Sequence, residues 1–173
     1  MQISFEQILL DKIQDANSLI LRLQSWQHKG ERVVFTNGVF DLLHIGHLTY
    51  LAKAAGLGNK LIVGLNADSS VKRIKGESRP VNDQNSRAAL LASLFFVDAV
   101  VIFNEDDPLN LIIKLKPDIL VKGADYSVDS IVGAKEIMAN GGEVKTIDFV
   151  NGYSSTSIIE KIRNQQIPDQ PIK

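Results

Sequence analysis

Short apolar runs alternate with helical patterns along most of this chain. Residues 33–36, 61–65, 99–103, 119–121 and 144–149 are apolar or β-branched and too short for helices, so they read as buried strands. Between them the period changes. Leu48, Leu51, Ala52 and Ala55 fall at helical spacing from His47 onward, with Gly56 and Gly58 as the stop. Ala88, Leu91, Ala92 and Phe95 make one face of a helix over 84–96. Asp107-Pro108 is a cap followed by a first-position proline, and opens a helix that runs to Leu115 before Pro117. Residues 133–140 are helical, ended by Gly141-Gly142. Ile158, Ile159 and Ile162 place a last helix after a run of hydroxyl residues. Strands alternating with helices predict an α/β fold: a single Rossmann-like, doubly wound parallel sheet with helices on both faces.

The flanks read differently. Residues 5–29 carry an apolar stripe of Ile8, Leu9, Ile13, Leu19, Ile20, Leu23 and Trp26, which predicts one amphipathic helix or two, with Gly30 as the stop. Packing against the domain is the expected use of that stripe. The end, 165–173, contains Pro168 and Pro171 and reads as a flexible tail. The expected division is therefore an N-terminal helical segment over 1–30, a domain over 31–164 and a tail.

Composition narrows the class. A chain of 173 residues can bury one sizeable core. A net charge of −1 argues against bulk electrostatic binding of nucleic acid. There is no cysteine, hence no disulfide framework and no thiolate chemistry. The first residues lack a signal-peptide pattern and no apolar run approaches a membrane span, so a cytoplasmic protein is the expectation.

The chemistry gathers where the first strand ends. Asn37-Gly38 breaks the strand, and His44, Gly46 and His47 stand at the start of the following helix. A helix N-terminus offers free N–H groups and a positive dipole end, which suit phosphate. Two imidazoles add donors, and a glycine lets a charged ligand approach the backbone. A metal site is the competing reading, but the third histidine, His28, lies outside the motif. Neither G-x-G-x-x-G nor the P-loop pattern is present.

Beyond the second strand, residues 69–83 are polar and basic, with Lys72, Arg73, Lys75 and Arg79. Gly76 and Pro80 make the second half a loop. Ligands of such sheets bind beyond the carboxyl ends of strands, so these cations can face a site. Lys75, beside Gly76, is the better candidate; Lys72 and Arg73 read as solvated. Arg87 lies in a helix first turn, where a cation opposes the dipole, and so points to a ligand anion or a buried carboxylate. Ser154, Ser155, Thr156 and Ser157 supply more hydroxyls than one cap requires.

The string N-G-x-F-D-x-x-H-x-G-H over 37–47 resembles the signature of the cytidylyltransferase-like nucleotidyltransferases. The likeness extends over residues 31–164, through Asn66-Ala67-Asp68, Lys75-Gly76, Arg87, Lys122-Gly123-Ala124-Asp125-Tyr126 and Gly152-Tyr153-Ser154-Ser155-Thr156-Ser157-Ile158. Phe-Thr-Asn-Gly-Val-Phe-Asp, Lys-Gly-Glu-Ser-Arg-Pro, Val-Lys-Gly-Ala-Asp-Tyr and Ala-Asn-Gly-Gly-Glu-Val are similar to one branch, the D-glycero-β-D-manno-heptose 1-phosphate adenylyltransferases. That domain is often fused behind a heptose kinase, and the present chain looks like a stand-alone form. Val39 stands where the branch usually has cysteine, and Tyr153 and Ser155 also depart from its pattern.

The resemblance implies adenylyl transfer from ATP to a sugar 1-phosphate, with pyrophosphate released and the ADP-sugar serving lipopolysaccharide core synthesis. It implies His44, His47 and Lys75 as the catalytic groups. Thr36, Asn37, Gly38, Phe40 and Gly46 would shape the nucleotide site, and Gly123, Asp125, Ser154, Ser155, Thr156 and Ile158 would hold ribose and base. Arg79, Arg87 and Lys122 are the candidates for the substrate phosphate. Mg²⁺ would accompany ATP with few protein ligands, and a homodimer is expected. Two alternatives stay open: another enzyme of the superfamily, using CTP with glycerol 3-phosphate or ATP with FMN, and a non-catalytic nucleotide-binding module.

Overall fold

A computed structural model describes residues 4–124, 130–148, 150 and 152–164. Among them, six strands form one all-parallel sheet in the order β1-β4-β3-β2-β5-β6. They are β1 (Ile13–Gln14), β2 (Val33–Gly38), β3 (Lys60–Asn66), β4 (Ala99–Phe103), β5 (Ile119–Gly123) and β6 (Glu143–Ile147). The helices are α1 (Phe5–Leu10), α2 (Ala16–His28), α3 (Ile45–Ala55), α4 (Asp68–Lys75), α5 (Gln84–Ala92), α6 (Leu109–Leu115), α7 (Ala134–Ala139) and α8 (Ser155–Asn164).

The two faces of the sheet carry separate cores. Strand residues alternate between them, as the pleat requires. Val33 and Phe35 of β2 join Leu19, Leu23 and Trp26 of α2 and Leu111, Ile112 and Leu115 of α6 on one side. Val34 of β2 and Leu61, Val63 and Leu65 of β3 meet Tyr50, Leu51 and Ala54 of α3 and Ala88 and Leu91 of α5 on the other. The doubly wound architecture is the one that the alternation predicts.

Three elements depart from the sequence reading. Residues 5–29 contain two helices and, between them, a sixth strand. That strand pairs Ile13 with Val100 and Gln14 with Val101 at the sheet edge. A two-residue strand leaves no period to read, and α2 is built into the core rather than laid over it. Residues 68–75, to which the sequence reading gave no element, are helical, so Lys75 is the last residue of α4. The helix expected over 84–96 ends at Ala92.

Successive strands β2, β3 and β4 step one way, and β5 returns to the other side of β2. The switch point therefore lies between β2 and β5, where ligands of such sheets bind.

Candidate active site

A cleft of about 500 Å³ opens at the carboxyl ends of β2, β3 and β5. Asn37, Gly38 and Phe40 form its floor on the β2 side. His47, Lys75, Arg79, Lys122 and Gly123 line its walls, and Ser155 and Thr156 come in from α8. Lys122 donates to the Asn37 side chain across the β2–β5 pair, closing the switch point with a polar bridge.

The histidine pair is set by the α3 terminus. His44 is the N-cap, and its Nδ1 accepts from the His47 backbone N–H at 3.4 Å. The two rings stack with centroids 3.8 Å apart, and Phe40 meets His47 edge-on at 5.2 Å. Gly46 makes the stack possible, because a Cβ there would lie 3.0 Å from the His44 ring. Phe40 itself has φ +46°, a left-handed backbone rare outside glycine and characteristic of functional turns.

Burial keeps the His47 imidazole neutral. Desolvation, helped by the neighbouring His44, lowers its pKa to about 4. Desolvation lowers the His44 pKa as well. The Nδ1 atom of His47 is buried without a partner among the described residues. Near neutral pH the pair is thus two polar neutral rings at a helix N-terminus, available as donors to an anion rather than as standing cations.

Asp41 ties the basic segment to the histidine motif, a role that its sequence position did not reveal. Its carboxylate is 1% exposed. Oδ2 accepts from Arg79 Nε at 2.5 Å, and Oδ1 accepts from the N–H groups of Val81 and Asn82 at 2.7 and 3.1 Å. The Asn82 side chain closes the loop by donating to Asp41 O at 3.2 Å. Only the fold brings residues forty positions apart into this contact.

Several expected site residues stand off the cleft wall. Arg87 is fully buried and donates to Asn82 O, Val39 O and Asp68 Oδ1 at 3.0, 2.6 and 2.7 Å. Of the two readings open for it, a carboxylate is the partner observed, though a partly exposed one, and Arg87 is not on the cleft wall to meet a substrate phosphate. Thr36 is also fully buried, its hydroxyl 2.8 Å from the Tyr50 phenol, so it supports the floor instead of touching ligand. Ser154 and Ser157 cap α8 against each other, at 3.0 and 2.9 Å. Ser155 docks that helix on the histidine loop through Leu42 O at 3.0 Å. His44, Gly46, Ser154 and Ile158 therefore lie behind or beside the lining residues. Asp125 falls outside the described residues.

The cleft's own carboxylates do not assemble a metal cage. Asp41 is engaged as above, Asp106 accepts from Arg73 Nε at 2.7 Å, and Asp107 accepts from the Leu109 N–H at 2.9 Å. Among the described residues no cluster of three or more His, Asp or Glu is arranged to hold an ion. The donor set fits a divalent ion only as one carried in by a polyphosphate. No helix among these residues is long and apolar enough to cross a membrane.

Fold and site together define a doubly wound α/β domain with a cleft at its switch point and two stacked histidines at a helix N-terminus. The cytidylyltransferase-like family model matches residues 35–161, from β2 into α8. The chain belongs to that family of nucleotidyltransferases. It is 51% identical over 152 residues to the bifunctional protein HldE of Methylobacillus flagellatus, an alignment that takes in 88% of this chain and 31% of that protein. With the same-named protein of Campylobacter fetus it shares 59% over 134 residues, 78% and 28% of the two chains. The chain spans less than a third of the length of these relatives. Among solved structures, the lipopolysaccharide core biosynthesis protein from Thermoplasma volcanium aligns with a TM-score of 0.57 at 35% identity, over 72% of this chain and 100% of that one. A pantoate-β-alanine ligase from Francisella tularensis, at 16% identity and a TM-score of 0.57 over 87% and 76%, shares the fold.

Proposed function

We propose that this domain transfers the adenylyl group of ATP to D-glycero-β-D-manno-heptose 1-phosphate, giving ADP-heptose and pyrophosphate for lipopolysaccharide core synthesis. The observation that carries the reading is the stacked His44–His47 pair at the α3 N-terminus, with His47 and Lys75 on one cleft beyond β2 and β3. The choice of acceptor is supported by the half or more identity to HldE proteins and by the likeness to a lipopolysaccharide core biosynthesis protein.

A phosphate oxygen of the sugar attacks the α-phosphorus in line. The new P–O bond forms as the bond to the bridging oxygen breaks, and the electron pair leaves with pyrophosphate. The attacking oxygen is already anionic, so no general base is needed, and catalysis is positioning plus charge stabilisation. The α3 N–H groups and the imidazole N–H groups donate to phosphate oxygens as negative charge develops. Lys75 brings a cation from the end of α4. Gly123, Ser155 and Thr156 hold the nucleoside at the β5 edge, with Asn37 fixed by Lys122 beneath it. A Mg²⁺ ion bound to ATP would neutralise triphosphate charge, held by the phosphates rather than by a carboxylate cage among the described residues.

A panel of sugar 1-phosphates and glycerol 3-phosphate against ATP and CTP, read by pyrophosphate release, tests the reading. ATP with the heptose phosphate is the expected best pair. Preference for CTP with glycerol 3-phosphate would overturn the acceptor and the base, leaving a nucleotidyltransferase of another branch. No pyrophosphate with any pair would return the domain to a binding module.

A further inference from the structure

Two phosphorylated substrates must share the cleft, and the second anion needs a partner of its own. Arg87 stands off the cleft wall, fully buried with three protein acceptors, and Lys122, on that wall, is engaged with Asn37. Arg79 is different. It lines the cleft, its side chain is 17% exposed, and its one described partner is Asp41, reached through Nε. A guanidinium carries five N–H donors. The four on the terminal nitrogens have no acceptor among the described residues, yet neither nitrogen is sealed from solvent. Asp41 cannot swing away to follow Arg79, because its other oxygen is fixed by the Val81 and Asn82 N–H groups.

We propose that Arg79, held by Asp41, anchors the phosphate of the acceptor substrate, with Asp41 as its positioning residue. The proposal rests on reading the cleft as a nucleotidyl-transfer site. A planar fork with its Nε already fastened presents two terminal nitrogens to a phosphate in a bidentate arrangement, and little side-chain freedom is left to lose on binding. Lysine reproduces neither the fastening nor the fork. The acceptor class that follows is a phosphomonoester whose phosphate enters a mostly buried, two-donor seat.

Calorimetric titration tests this without turnover. The protein is saturated with an ATP analogue carrying a methylene bridge between the α- and β-phosphorus, and heptose 1-phosphate is titrated in. Arg79→Ala should weaken acceptor binding about ten- to a hundred-fold while the analogue binds within about twofold of wild type. Retained analogue binding also shows that the variant is folded. Arg79→Lys should recover little, and Asp41→Asn should raise the acceptor KM more than it lowers kcat. Loss of analogue affinity by the same factor would assign Arg79 to the triphosphate and overturn the proposal. Unchanged acceptor affinity would overturn it too. If wild type binds glycerol 3-phosphate but no sugar 1-phosphate, the choice of acceptor fails and Arg79 is judged on glycerol 3-phosphate by the same ratio. If no phosphomonoester binds, both readings fail.

Discussion

Replacing Arg87 with methionine keeps most of the side-chain bulk but removes a charge and three hydrogen bonds from the interior. The guanidinium joins three segments. Val39 belongs to the loop before the histidines, Asn82 to the loop held by Asp41, and Asp68 to the first turn of α4, whose last residue is Lys75. Truncating one partner of a buried pair costs roughly 3–5 kcal/mol, because the other is left uncompensated. Here the Asp68 side chain is 34% exposed and can take up water, which favours the low end. The expected loss is about 3 kcal/mol, or a melting point lower by roughly 6–12 °C for a chain of this size. Urea unfolding should show the midpoint falling with an unchanged slope. Arg73→Met is the control: its pair with Asp106 at 2.7 Å is about half exposed on both sides and should contribute less than about 1 kcal/mol. A loss below about 1 kcal/mol in Arg87→Met would refute the account of Arg87 as the joint of the site.

Three further outcomes are expected. His47→Ala should lower kcat on the order of a hundred- to a thousand-fold with a far smaller change in ATP affinity, and His44→Ala should do the same through the lost cap and stack; near-normal turnover in either would remove the histidines from catalysis. Because the folded His47 pKa lies near 4, below the unfolded value near 6.5, the unfolded chain binds the proton first as pH falls. Stability is therefore intact above pH 6.5 and declines towards pH 4, by on the order of 1–2 kcal/mol once solvent screening is allowed for, and His47→Asn should flatten that slope in chemical denaturation. Lys75→Ala should slow turnover, whereas Lys72→Ala, which removes only an exposed 3.7 Å pair with Glu77, should leave it unchanged; equal effects would make α4 a solvated helix.

The sequence by itself determined the elements whose periods are long enough to count and whose ends are marked. Residues 99–103 form a strand between turn residues, and β4 has those same bounds. Residues 33–36 extend by two into the motif, because Asn37 and Gly38 still pair with β3 before the chain turns. The helix after the histidines was legible for the same reason, although only the structure shows that His44 is its cap: apolar spacing cannot show which residue caps. The gathering of polar groups at 44–47 was legible because a helix N-terminus is a local feature.

What only the tertiary structure decided is which polar groups meet across distance. Arg87 had two readings open, a ligand anion or a buried carboxylate, and the fold sets its guanidinium against Asp68, a carboxylate that keeps part of its surface in solvent. Thr36 alternates with core residues on β2, so its hydroxyl turns to Tyr50 instead of to the cleft. Asp41, unassigned from sequence, becomes the clamp on residues 79–82, because the loop after α4 folds back over the β2–α3 turn. Strand β1 exists only because β4 offers it an edge: two residues have no period of their own, and their pairing is decided by what the sheet leaves unpaired.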